Sequence, residues 1–496
     1  MFAVAAFAPF HWTVATPVAL AVLFLLWQHA TTPRAAAGIG FAFGLGIFGA
    51  GTSWVFVALE SFGGMPAPVA VVATAGFVAY LALWPALAGW VVARTNAIGS
   101  PWRLLAAAAV WPLAEWLRGY VFTGFPWLAV GYAELLPERV LPLAGFASIG
   151  GVFLVSLAVA ACAAAVATII GALTDARRGT AIGASALIVA IVATGAMLAR
   201  NEWTMPTDAP VAISLVQGNV SQEQKFDPAF RQANFERYID LVRLSRGRIV
   251  VLPESAFPQF ADEIPGAVFL RLADLMRARD GNVLVGLFIA EPPLDKGQDE
   301  RIHNSVISVG TTPPQLYQKH HLVPFGELIP LKSVTGWFIN RVLNIPLADQ
   351  TPGPPNQPPF TIAGQRLAVN ICYEDVFGGE LIGAARNATL LVNVTNDAWY
   401  GRSIAARQHN QIAQMRALET GRPMLRATNT GITSAIGHDG LVLVELPWFT
   451  QGILEVEIAG RTGLTPYMRM GDGLVLVLSL LLLAVAIGVP RFARVR

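Results

Sequence analysis

Three side chains in the second half of the sequence have the types and settings needed for covalent chemistry. Cys372 closes the run Leu367-Ala-Val-Asn-Ile371 and precedes Tyr373-Glu374-Asp375. Glu254 follows Val250-Val-Leu-Pro253, so a strand and a proline-fixed turn deliver a carboxylate. Lys319 opens the segment Lys319-His-His-Leu-Val-Pro-Phe-Gly-Glu327, which runs through apolar residues to a second carboxylate. A free thiol has a pKa of about 8.5, and its thiolate is the nucleophile. A carboxylate can take the thiol proton, and an ammonium can stabilise both the thiolate and an oxyanion. The set suits acyl transfer through a thioester and needs no histidine.

Each residue alone also has a plain structural reading. Buried cysteines are commonly small hydrophobes, a glutamate after a turn faces solvent, and a lysine among apolar residues can extend its head to water. Cys372 taken by itself divides evenly between packing and chemistry. Cys162, flanked by alanines in an apolar run, reads as packing. His320 and His321 would face opposite sides of a strand and read as structural. The sequence has no His-Glu-x-x-His, nucleophile elbow, Walker loop or Cys-x-x-Cys, so neither a metal nor a cofactor is expected.

The elements that must hold these groups are short. Apolar, often β-branched runs at 211–216, 248–252, 283–288, 305–309, 367–371, 390–394 and 433–436 suit buried strands. Helical patterns at 228–244, 265–278 and 405–420 lie between them, which predicts sheets covered by helices. The proline-rich stretch 352–359 reads as a loop.

The rest of the chain is of another kind. Of its 496 residues 54% are hydrophobic and 13% charged, against about 25% charged in soluble domains. Mean hydropathy is +0.53. Stretches 14–27, 35–59, 66–92, 102–116, 148–173, 180–198 and 473–489 read as membrane spans. Residues 1–9 are counted with them, giving about eight helices. With the amino terminus inside, Arg34, Arg94, Arg103, Arg177 and Arg178 fall in inside loops and Arg491, Arg494 and Arg496 in an inside tail. Arg118 and Arg139 fall outside. That bias follows the positive-inside rule and puts 201–472 outside. Gly40-x-x-x-Gly44 reads as close helix packing. Glu115, Arg118, Trp127 and Glu134 read first as interface anchors and second as a lipid headgroup site. A formal net charge of +2 gives no reason to expect nucleic acid.

Pro253-Glu254-Ser255, the Lys319-to-Glu327 segment and Asn370-Ile-Cys372-Tyr-Glu374 resemble the Glu, Lys and Cys motifs of the nitrilase superfamily. With Asn396-Asp-Ala-Trp-Tyr-Gly401 and the flanking helices, the chain is similar over nearly its whole length to the apolipoprotein N-acyltransferase branch. The resemblance implies a membrane helical bundle (1–200), an αββα sandwich (201–471) in the periplasm, and a last helix with a basic cytoplasmic tail (472–496). It implies Glu254 as general base, Lys319 as oxyanion-stabilising cation and Cys372 as nucleophile. Glu327, Tyr373 and Glu374 would orient the site. The implied reaction is ping-pong at the bacterial inner membrane, with no cofactor. Cys372 takes an acyl chain from a phospholipid, typically phosphatidylethanolamine, and passes it to the α-amino group of a diacylglyceryl-cysteine on an apolipoprotein. The chain is expected to act as a monomer. One departure is Phe226 in Lys225-Phe226-Asp227, where the family often has tryptophan.

The apolar stretch 331–346, with Trp337, Phe338 and Ile339, suggests either a lid at the bilayer edge or buried core. Trp399 is a further candidate for substrate contact. Two other readings stay open from the residues alone. One is a membrane-tethered amidase with water as acceptor, for which lipid-facing helices would be superfluous. The other is a transporter or receptor with a ligand-binding outer domain, which would call for paired charges at mid-membrane depth.

Overall fold

Residues 1–207, 209–293, 300–328 and 349–495 are described by the computed structural model. They form two compact units. Met1–Val55, Pro68–Trp203 and Thr465–Arg496 make one; Phe56–Ala67 and Thr204–Leu464 make the other.

The first unit is helical. Among the described residues it has seven helices of at least 15 residues: Ala15–His29, Pro33–Gly51, Ala67–Thr95, Trp102–Arg118, Ala147–Thr174, Arg178–Leu198 and Gly473–Val495. Pro33–Gly51, Ala67–Thr95, Pro142–Thr174 and Arg178–Leu198 are long and apolar enough to cross a membrane. The expected span at 1–9 is instead a single 3₁₀ turn, Phe2–Ala6, followed by a reversal at His11 (φ 56°). Five residues are far too few to cross ~30 Å of hydrocarbon. The glycines do permit close approach: a Cβ on Gly44 would lie 2.6 Å from the Cα of Ala82 on the neighbouring helix. Arg103 is buried and donates to the carbonyls of Trp27, Gln28, Ala30, Ala93 and Asn96. It thereby satisfies orphan groups at the ends of two helices.

The expected span 35–59 ends early. The Pro33–Gly51 helix stops where Thr52 Oγ1 donates to the Phe48 carbonyl at 2.8 Å. Val55–Val57 and the π-turn Ala58–Phe62 follow, and the chain from Phe56 belongs to the second unit.

The second unit contains two six-stranded sheets. In chain order the strands are β1 (Val211–Gln217), β2 (Ile249–Val251), β3 (Asn282–Glu291), β4 (Arg301–Gly310), β5 (Leu316–Gln318), β6 (Phe360–Ile362), β7 (Gln365–Ile371), β8 (Leu390–Thr395), β9 (Met424–Thr428), β10 (Ser434–Ile436), β11 (Val442–Glu445) and β12 (Gly452–Ile458). One sheet runs β12-β1-β2-β3-β4-β5, the other β11-β10-β9-β8-β7-β6. In each, a parallel trio forms the centre, β1-β2-β3 in one and β7-β8-β9 in the other. Strand alternation splits the apolar residues between two faces. Ile213, Leu215, Ile249, Val251 and Leu284 meet Leu367, Val369, Ile371, Val392 and Leu425 between the sheets. Val216, Val250, Val283 and Val285 face the other way, onto Phe235, Tyr238, Leu272 and Met276 of helices Arg231–Leu244 and Gly266–Arg277. Helices Gly378–Ala385 and Ala405–Thr420 pack on the second sheet. The result is an αββα sandwich.

Candidate active site

The catalytic candidates occupy strand ends of both sheets. Glu254 stands just past β2, buried, with Ser255 behind it at φ 46°. Lys319 follows β5 and is likewise buried. Its backbone N–H donates to the carbonyl of Asn304 on β4 at 2.8 Å. Its Nζ lies 2.7 Å from Glu327 Oε1 and 3.7 Å from Glu254 Oε1. Cys372 directly follows β7 and takes a left-handed backbone (φ 52°) that side chains rarely adopt. The turn lifts the thiol off the strand at the point where the chain enters a 3₁₀ segment, Cys372–Val376.

Electrostatics ties the three together. Burial opposes the Lys319 ammonium, but Glu327, Glu254 and Cys372 outweigh it and hold its pKa above the ordinary lysine range. Burial, then Glu254, raises the Cys372 thiol well above its usual value, and Lys319 only partly offsets them. Burial thus favours the neutral thiol, with a carboxylate and an ammonium acting on it in opposite senses.

The expected supporting residues divide by role. Glu327 pairs with Lys319, and its Oε2 accepts from Val323 N at 2.9 Å. Glu374 is buried and accepts from Tyr317 Oη, Ile371 N, His320 N and His321 N at 2.6 to 3.1 Å. It thus joins the Lys319 segment to the Cys372 turn. Burial raises its pKa, while Lys319 and these backbone donors pull it down. Tyr373 packs edge-on against Phe377 and His321. His320 and His321 are pinned elsewhere, Nδ1 to Gly353 O and Glu380 respectively. Trp399 is half-buried and meets Phe62 edge-on at 6.3 Å. Trp337 and Phe338, and the lid expected over 331–346, lie outside the described residues.

Other buried polar groups near the site went unnoticed in the sequence. Asn304 Nδ2 donates to Glu254 Oε1 at 2.8 Å and to Glu327 Oε1 at 3.5 Å. Behind Cys372, His409 Nε2 lies 2.8 Å from Asp375 and Nδ1 lies 3.0 Å from Asp397. Arg426 bridges the same two carboxylates and Asn393, which donates to the Cys372 carbonyl. Arg426 lies on β9, a strand the sequence reading does not expect, and its burial carries a signal only once the fold is known, because a buried guanidinium demands anionic partners. Among the described residues, no cluster of three or more His, Cys, Asp or Glu is arranged to hold a metal ion.

Comparison with known proteins covers both halves of the chain. Residues 1–165 match the apolipoprotein N-acyltransferase N-terminal domain. Residues 213–467 match the carbon-nitrogen hydrolase family. An apolipoprotein N-acyltransferase of Nitrosomonas europaea is 48% identical over 97% of this chain and 94% of its own. Proteins of the same name from Chromobacterium violaceum and Ralstonia nicotianae are each 41% identical over 98% of this chain, covering 92% and 91% of their own lengths.

Proposed function

The chain belongs to the apolipoprotein N-acyltransferase family, and we propose that Cys372, Glu254 and Lys319 carry an acyl chain from a membrane phospholipid to an apolipoprotein amine. Glu254 takes the Cys372 proton as sulfur attacks the ester carbonyl. Lys319 faces the oxyanion that forms. Collapse expels the glycerol oxygen, which receives the proton from Glu254, and a lysophospholipid leaves. The α-amino group of the diacylglyceryl-cysteine then attacks the thioester and gives its proton to Glu254. The thiolate departs and is reprotonated. Glu327 holds Lys319 in place, and Glu374 holds the two segments together.

One observation carries this reading: a buried ammonium lies between two carboxylates, 2.7 and 3.7 Å away, in the same charge field as a thiol on a strained turn. Each partner covers a different need of a thioester mechanism. The domain division at 200 and 471, phosphatidylethanolamine as donor, a monomeric state, the inner membrane and a periplasmic catalytic domain belong to the same proposal. They are supported by the motifs and the arginine bias.

The test is intact mass of the purified protein after incubation with labelled phosphatidylethanolamine. An acyl adduct on Cys372 that hydroxylamine removes is expected. Cys372→Ser abolishes it and Glu254→Gln slows it at least a hundredfold, about 2.7 kcal/mol of barrier. Active protein that never carries an adduct would sink the proposal. Free fatty acid in place of an N-acyl peptide would make the chain a hydrolase.

A further inference from the structure

A second ammonium is buried beside the site. Lys225 lies on the short helix Gln222–Phe226 and is 3% exposed. The helix is firmly held. Ser221 caps it, Asn396 donates to Gln222 Oε1 at 3.0 Å, and Asn429 bonds both N–H and carbonyl of Val220. Lys225 Nζ donates to the backbone carbonyl of Glu254 at 2.9 Å. Among the described residues, no carboxylate forms an ion pair with it.

An ammonium taken from water without a carboxylate partner is costly. A methionine would fill the same volume without that cost. The charge therefore calls for a use: its hydrogen bond sets it against the Glu254 turn past β2, and Glu254 and Cys372, past β7, lie within its electrostatic reach. Burial lowers the Lys225 pKa to about 8, against the opposing pull of those two anions. Coulombic coupling is mutual, so a charged Lys225 favours the thiolate as much as the thiolate favours it. Lys319 differs in being partly neutralised by Glu327 at 2.7 Å.

We propose that Lys225 is a positioning residue for the acyl transfer, holding the Glu254 turn by its carbonyl and supplying positive potential to the sulfur anion. This rests on Cys372 being the nucleophile. Lys225 itself neither gives nor takes a proton in the reaction; the thiol proton goes to Glu254.

The test is alkylation of Cys372 by iodoacetamide in the full-length protein in detergent, read by peptide mass across pH 6 to 10. In Lys225→Met the rate at pH 7 falls roughly tenfold and the profile shifts to higher pH. Lys225→Arg keeps the wild-type rate at pH 7. Above about pH 8 it reacts faster than wild type, whose lysine has lost its charge. A Lys225→Met profile that overlays the wild type overturns the inference. If Lys225→Met does not fold, Lys225→Arg decides, because a profile matching the wild type above pH 8 overturns it too. A Cys372 that forms no acyl adduct in wild type refutes the nucleophile assignment instead, so the two failures are distinguishable.

Discussion

Glu374 illustrates what a single buried carboxylate does when every lone pair is used. It receives one hydroxyl and three backbone N–H donors from two segments distant in sequence. Truncation in Glu374→Ala leaves those donors buried and unmet, at a cost of about 3 kcal/mol or more; Glu374→Gln keeps one acceptor and costs about half as much. Denaturant melts of the two variants should rank in that order, and equal stability would show that water replaces the carboxylate. Asn304 acts on the chemistry instead. Its amide orients Glu254, so Asn304→Ala should slow acyl-enzyme formation roughly ten- to hundredfold, the worth of one charge-assisted hydrogen bond. Rapid-quench measurement of the adduct checks this, and a rate within twofold of wild type rejects it. The three principal candidates were legible because Glu254 and Cys372 each follow an apolar run and Lys319 opens one, where a charged or reactive side chain has no packing reason to be. Asn304 was not, because an uncharged amide inside β4 resembles any strand residue facing a turn.

At the scale of elements, the Cys372 turn is braced from behind by a neutral set of four charges on one helix, one strand and two turns. Asp375 follows Cys372, Asp397 follows β8, His409 lies on Ala405–Thr420 and Arg426 on β9. Both ring nitrogens of His409 face carboxylates, which requires the doubly protonated ring. Burial and Arg426 oppose that proton, but Asp375 and Asp397 prevail, and the His409 pKa is raised. Burial would raise Asp397, but His409 and Arg426 outweigh it and the pKa is lowered. The signs set a window. The His409 contribution is complete below its unfolded pKa of about 6.5 and is lost as pH rises through the raised folded value. The Asp397 contribution is present above about 3.9 and is lost as pH falls through the lowered value. Wild-type stability should thus decline on the alkaline side by at most about 1.4 kcal/mol per pH unit from this ring, and His409→Gln should lack that slope. Urea melts between pH 6 and 9 test it; parallel curves for the two proteins would place the proton elsewhere. Expected strands β1 to β4, β7, β8 and β10 were found because each lies in a short run rich in apolar or β-branched residues. The strands β5, β6, β9, β11 and β12 escaped; Arg426 interrupts β9, and Glu455 and Glu457 alternate through β12.

For the whole molecule, orientation in the membrane follows from which arginines remain free to read the inside. Arg103 and Arg118 drop out, since both spend their guanidinium on buried backbone carbonyls. Arg34, Arg94, Arg177 and Arg178 then stand against Arg139. Every loop can be counted from the basic tail, so this comparison does not depend on residues 1–9. The bias is thereby sharpened, and with the basic tail inside it predicts the 201–472 segment on the outer side. A protease added to intact spheroplasts should cut this segment and spare a tag placed after Arg496, whereas lysed spheroplasts should lose both. A tag cut in intact cells would invert the topology, and with it the access of Cys372 to lipids of the outer leaflet.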